Sequence, residues 1–295
     1  MKDCPFGHAF YHAENLEWVN LPGMNRLGYR CFSGCVKLET IHFNSLLEIS
    51  SEGFTNCTKL VNLNNSFQTV TSLGNICFQN CTSITNLHFP NAGLSNLNGS
   101  LGMFQGMSSL VSLFAPNLTL VPNGNNGGGM FANCINLENV TLTSLNFIPV
   151  NFVLNCTKLT SLNLPNAVSG NLFNAFANTP LLETLYTPQL NTLITNSYRA
   201  FYLSGVKNID FSKINNLSIL ANDIFENTTR LLTLDIRSCT TSIGTDASVN
   251  NNVFRLIKTG VTIIANAAQQ NINLGQPEPD LLNAISTRGA TVIYV

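Results

Sequence analysis

Nine cysteines and four histidines carry most of the chemical reach of this sequence, so metal binding, disulfides and nucleophilic catalysis are the first readings to weigh. Cys4, His8 and His12 stand at i, i+4 and i+8, and on one helical face they would form a metal-ligand cluster. Pro5 and Gly7 oppose such a helix, so the segment reads instead as the covered end of the chain, with residues 1–20 holding a cap and a first repeat. The odd cysteine total argues against a paired disulfide framework, and the C-x₃-C spacing fits no common zinc pattern. PNGNNGGG at 122–129 is rich in glycine but lacks the Lys and Ser/Thr that complete a phosphate loop, so it reads as a mobile insertion. No Ser or Cys nucleophile stands in a recognisable motif with a base and an orienting partner, and the acids are scattered. The expectation is therefore a protein that is not an enzyme, with no cofactor and no metal.

Composition narrows the elements that could position any site. Charged residues are 10% of the chain and hydrophobic ones 44%, against about 25% charged in ordinary domains. Asparagine supplies the missing polarity, at 43 of 295 residues. With 14 Lys plus Arg against 15 Asp plus Glu there is no basic field for nucleic acid or for an anionic membrane. Nineteen Phe and a net charge of −1 are the opposite of a disordered composition. No apolar run is long enough to span a membrane, and the opening MKDCPFGHAFYHAENLEW lacks the apolar core of a secretory signal.

A repeat orders this composition. An aromatic column recurs at Phe10, Phe32, Phe54, Phe78, Phe104, Phe131, Val153, Phe176, Phe201 and Phe225, at spacings of 22 to 27 residues. Three residues on come small side chains, among them Cys35, Cys57, Cys81, Cys134 and Cys156; six on comes Leu or Ile, except for Val206, which arrives one residue early. At +9 stands a further apolar residue, and +9/+11 has the alternation of a strand. The 0/+3/+6 spacing suits a helical or 3₁₀ turn. The fold class expected is a repeat solenoid: about ten units of about 24 residues over 1–237, each a helical turn, a bend and one short strand, stacked so that parallel strands share one face. Five cysteines then lie in an interior column, where a small apolar thiol packs well. Three N-C-T sequons, at Asn56, Asn80 and Asn155, fall inside the same core motif and read as repeat grammar. Residues 238–295 leave the pattern; NVFRLIKTGVTIIAN and DLLNAISTRGATVIYV each read as a short helix, a Gly and a β-branched strand. They form a C-terminal cap or, alternatively, a docking module.

FTNCTKLVNL, FQNCTSITNL and FVLNCTKLTSLNLPNA resemble the BspA-type leucine-rich repeat, with its A-F-x-x-C-x-x-L-x-x-I-x-L-P core, across about ten units from 9 to 237. The resemblance implies a surface protein of bacteria or protists, concerned with adhesion and the binding of host proteins.

Where +9 and +11 face the core, +8 and +10 face outward. The +8 row is small and polar apart from Trp18. The +10 row varies in size and chemistry and includes His42, His88, Phe114, Tyr186, Asp210 and Asp235. Aromatic faces beside hydrogen-bonding groups suit sugars or a protein surface, so Trp18 and these six are the expected ligand-binding residues. The function expected is a recognition or adhesion module displayed on a surface, binding a host glycan or surface protein. Without a signal sequence, a phage virion protein comes first, a cell-surface adhesin second and a structural scaffold third; a cytoplasmic setting stays open. Other virion or surface-assembly proteins would dock through the C-terminal cap.

Overall fold

The computed structural model describes residues 3–4, 7–95, 102–120, 129–193, 198–214, 223–239, 254, 257–270 and 279–295. All but the last residue of the 122–129 insertion lies outside them.

Each coil starts at the aromatic column. Phe10, Phe32, Phe54, Phe78, Phe104 and Phe131 stack face to face, neighbouring rings 5.0 to 6.2 Å apart and within 17° of parallel. Val153 interrupts the stack, and Phe152 turns edge-on to Phe131 at 5.7 Å. The column resumes at Phe176, Phe201 and Phe225 and runs on to Phe254, 6.2 Å and 7° from Phe225. Stacking thus continues past residue 237, at a spacing the repeat frame does not capture.

The helical or 3₁₀ turn expected at 0/+3/+6 takes the form of separate tight turns, each closed by a bond to the third residue back. Cys57 N donates to Phe54 O at 3.1 Å and Leu60 N to Cys57 O at 3.2 Å, which closes successive turns. The intervening amides point sideways: Phe32 N reaches Gly53 O and Gly34 N reaches Thr55 O, both at 2.8 Å and both one coil further on. Position +2 is left-handed in His12, Gly34, Asn56, Asn80, Gly106, Asn133, Asn155, Asn178, Leu203 and Asn227, which stops a helix after one turn. Gly and Asn adopt that conformation at least cost, and this accounts for part of the asparagine excess. The amides also form a ladder: Asn80 Nδ2 donates to Asn56 Oδ1 at 2.9 Å, Asn155 Nδ2 to Asn133 Oδ1 at 2.7 Å and Asn178 Nδ2 to Asn155 Oδ1 at 2.8 Å.

The strand expected at +8 to +10 is present, for example Trp18–Asn20, Asn86–His88, Ser112–Phe114 and Ser161–Asn163, with a buried apolar centre. Neighbours pair in parallel, residue for residue. A proline at +12 ends several of these strands, and its carbonyl is taken up by the next coil: Asn117 Nδ2 donates to Pro90 O at 2.7 Å and Thr143 Oγ1 to Pro116 O at 3.0 Å. A second row of two-residue parallel strands, including Arg26–Leu27, Glu48–Ile49, Ser72–Leu73 and Thr192–Leu193, lies further along each coil. One strand per unit was expected and two are found, so the chain is a parallel-strand solenoid with little helix.

The long-strand row pairs in four blocks among the described residues. Pairing lapses after Asn62, after Asn139–Thr141 and after Thr184–Tyr186. The strand centre before each lapse, Leu63, Val140 and Leu185, is half-buried, whereas Ile41, Leu87, Leu113, Leu162, Ile209 and Leu234 are buried. In the tail, Thr262–Ala265 and Thr291–Tyr294 extend the last block in register from Thr233–Asp235. The expected second tail helix forms at Pro279–Arg288, burying Leu281 and Ala284 and stopping before a left-handed Gly289. The first expected tail helix falls almost wholly outside the described residues.

Candidate recognition surface

The interior column settles the role of the thiols. Cys57 Sγ donates to Phe32 O, Cys81 to Phe54 O and Cys134 to Phe104 O, each at 3.0 Å, and Cys156 to Phe131 O at 3.2 Å. The thiol is therefore more than a small apolar filler: it gives the carbonyl of the aromatic one coil earlier, which already accepts the +3 amide of its own coil, a second hydrogen bond that ties neighbouring coils together. In later coils Thr179 and Thr228 donate to Phe176 O and Phe225 O of their own coil. Burial pushes Cys35 up to about 11 and Cys81 and Cys134 up to about 12, and drives Cys57 and Cys156 well above the ordinary value. Such thiols stay protonated and are poor nucleophiles.

The helix that would bring Cys4, His8 and His12 to one face does not form. Cys4 lies in the strand Asp3–Cys4, and His8 and His12 are both left-handed turn residues. The His8 ring sits edge-on to Tyr11 and Tyr29, at 5.2 and 5.3 Å, and His12 Nδ1 lies 3.9 Å from Glu14 Oε1. Among the described residues no group of His, Cys, Asp or Glu is placed to hold a metal ion.

The seven expected ligand-binding residues fall into three groups along the long-strand row. Trp18, 67% exposed, and half-buried His42 lie on the first two strands, which pair through Trp18↔Thr40 and Asn20↔His42. His88 and Phe114 are paired rungs whose rings stack at 4.7 Å and 17° with both side chains exposed. Beside them Ser112 Oγ donates to Asn86 Oδ1 at 2.5 Å, so a polar +8 ladder flanks the aromatic platform. Tyr186, Asp210 and Asp235 form the third group, three rungs beyond Phe114, or about 15 Å at the usual strand spacing.

Asp235 departs from the expectation of an outward, available side chain. It is only 8% exposed, and its carboxylate accepts Arg237 Nε at 3.0 and 2.9 Å, Arg237 N at 3.1 Å and Arg237 Nη2. The tight hold of one carboxylate by a whole guanidinium satisfies it locally. Asp210 is exposed and accepts Ser212 N on Oδ1 at 2.9 Å.

This third group borders a cavity of about 370 Å³ that opens where Thr184–Tyr186 and Asn208–Asp210 fail to pair. Outward Tyr186, Asn208 and Asp210 and inward Leu185, Ile209 and Phe211 all line it, and Phe176 and Phe201 of the aromatic column lie at its depth. The cavity thus passes between strands into the core. Two sequence features place it there. Val206 arrives one residue early, and Gly205 beside it has no room for a side chain, since a Cβ would lie 2.2 Å from Pro180 O. The inward residue at +11 is Thr187, where neighbouring coils carry Leu164 and Phe211. Across the lapse Glu183 joins three coils, accepting Lys207 Nζ at 2.5 Å and also Arg230 Nη2; the Lys207 hydrogen bond is the main cause holding its carboxyl below the usual range. The lining residues Leu185, Ile209 and Phe211 were absent from the expected site, and the early Val206 was the signal that could have found them.

The sequence matches the family model described as BspA type leucine-rich repeat region, in six copies, over residues 7–125 and 125–255. A crystal structure of a leucine-rich repeat protein from Bacteroides ovatus aligns with 99% of this chain and 64% of its own, at TM-score 0.59 and 19% identity. A leucine-rich repeat protein of T. pallidum aligns with 54% of this chain and 72% of its own, at TM-score 0.45 and 25% identity. No curated protein matches the sequence.

Proposed function

The chain belongs to the BspA-type leucine-rich repeat family, and from that premise we propose that it is a recognition module for adhesion, binding a surface protein of its partner through the long-strand row. Solenoids of this kind are typically binding modules, and members of the family are often surface-exposed. Among the described residues no helix is long and apolar enough to cross a membrane. The observation that carries the reading is the exposed His88–Phe114 stack, flanked by the Asn86–Ser112 ladder. Flat apolar faces edged by hydrogen-bonding groups are what interface centres use. The same platform favours a host glycan as a second reading, because a sugar ring stacks on such a face while its hydroxyls meet the flanking amides. The virion setting expected from the sequence rests on the opening residues alone and forms no part of this proposal. Residues 238–295 act as the cap of the last coil, and docking through them is a secondary proposal.

A double change, Phe114→Ala with Tyr186→Ala, tests the surface. Binding to glycan arrays and to isolated cell-envelope proteins should fall at least tenfold, as for loss of aromatic anchors, while thermal stability changes little. Retained affinity would sink the assignment of the long-strand row.

A further inference from the structure

We infer that the cavity between Thr184–Tyr186 and Asn208–Asp210 is an anchor pocket for an apolar side chain of a protein partner that carries a basic residue next to it. The inference rests on the proposed recognition function and names what one part of the surface takes. Three observations lead there. The pocket's depth is apolar, with Phe176, Phe201 and Ile209 facing it, so the inserted group must be apolar. Its rim is acidic. Asp235 is already answered by Arg237, whereas Asp210 makes no ion pair among the described residues and is exposed at the mouth. A ligand that fills the depth therefore leaves its backbone end beside a carboxylate that no cation contacts directly, Arg237 acting on it only through space, and a neighbouring Lys or Arg complements it. A single long basic side chain fits less well, because head-first insertion would carry its charge into the apolar depth.

The volume suits this occupant. At about 370 Å³ the cavity lies at the small end of ligand pockets, which run from about 300 to 1,000 Å³. It also exists for a local reason: Ala115 is another small +11 residue, but its strand Ser112–Phe114 pairs on both sides and leaves no gap. At this point the small Thr187 coincides with the lapse of pairing between Thr184–Tyr186 and the early Asn208–Asp210, and the face opens.

The test uses the full chain and short blocked peptides, with binding followed by NMR shift changes. Acetyl-Phe-Arg-amide should bind in the millimolar range, acetyl-Phe-Gln-amide about fivefold more weakly, as for an exposed charge pair, and acetyl-Gly-Arg-amide at least tenfold more weakly, as for loss of a buried aromatic. Asp210→Asn should weaken the Phe-Arg peptide about fivefold and leave the Phe-Gln peptide unchanged. Thr187→Leu restores the large residue that neighbouring coils carry at +11, and should abolish binding of both while thermal stability holds or rises. Equal binding of Phe-Arg and Phe-Gln peptides, or undiminished binding to Thr187→Leu, would overturn the pocket. If these changes have no effect on partner binding while Phe114→Ala does, the anchor fails and the recognition surface stands.

Discussion

The coils from Phe10 to Cys134 and those from Phe176 to Asp235 share one frame but are built differently. In the first set an unbroken stack of six phenylalanines is fastened by thiols that reach back one coil. A second aromatic row of Phe43, Phe67 and Phe89 packs against that stack. In the later set the thiols give way to Thr179, Ser204 and Thr228, hydroxyls that bond within their own coil or to each other. Strand pairing lapses in both sets, but in the later one the lapse between Thr184–Tyr186 and Asn208–Asp210 borders a cavity that enters the core, and a Glu183–Lys207–Arg230 clasp bridges the gap. Where the columns are filled and the strands paired, the face is a closed ladder; a one-residue change of register together with the small Thr187 opens it.

Three experiments bear on this contrast. Alkaline pH should act most strongly, because it reaches all the column thiols at once. Folding raises their pKa, to about 11 for Cys35 and about 12 for Cys81 and Cys134, so the stability they add is complete below the unfolded value near 9.0 and is lost as pH rises through those folded values. Near-ultraviolet circular dichroism from pH 8 to 12, with alkylation mapping, should show the early coils releasing their thiols together. A Cys81→Thr/Cys134→Thr variant, copying the later coils, should hold to higher pH; an identical transition would show that the thiols are not what distinguishes the two sets. Next in size, Phe78→Ala removes a ring enclosed by Phe54, Phe67, Phe89 and Phe104 and should cost about 5 kcal/mol, whereas Phe176→Ala, beside an existing cavity, should cost about 3 kcal/mol. Chemical denaturation measures both, and equal losses would contradict the contrast in packing. Smallest, Gly205→Ala forces a Cβ against Pro180 O and should cost about 1 to 3 kcal/mol; a neutral result would remove this glycine as the reason for the shifted register.

The columns, the period and the long strands were readable because each is a side-chain choice repeated ten times, so drift in one coil is outvoted by the others. The short-strand row was not. Arg26–Leu27 or Glu48–Ile49 is a single polar-to-apolar step, too brief for alternation to register. The 0/+3/+6 spacing reads as helix because turns closed by bonds to the third residue back share that spacing; the recurrent Asn or Gly at +2 was the discriminating mark, since neither continues a helix well. At the site, the row of outward residues was readable but their depth was not. Asp235 became buried through Arg237, two residues on, and no periodic argument shows whether a partner closes over its neighbour. Cavity lining depends on pairing between coils, a property of two units together that no single motif carries.

The backward reach of the thiols also bears on how the protein is made. Cys57 needs only the carbonyl of Phe32, and Cys81 only that of Phe54, so each new coil leaving the ribosome finds its acceptor already delivered. Contacts between neighbours alone let such an array grow in the order of its synthesis, each finished turn serving as the template for the next.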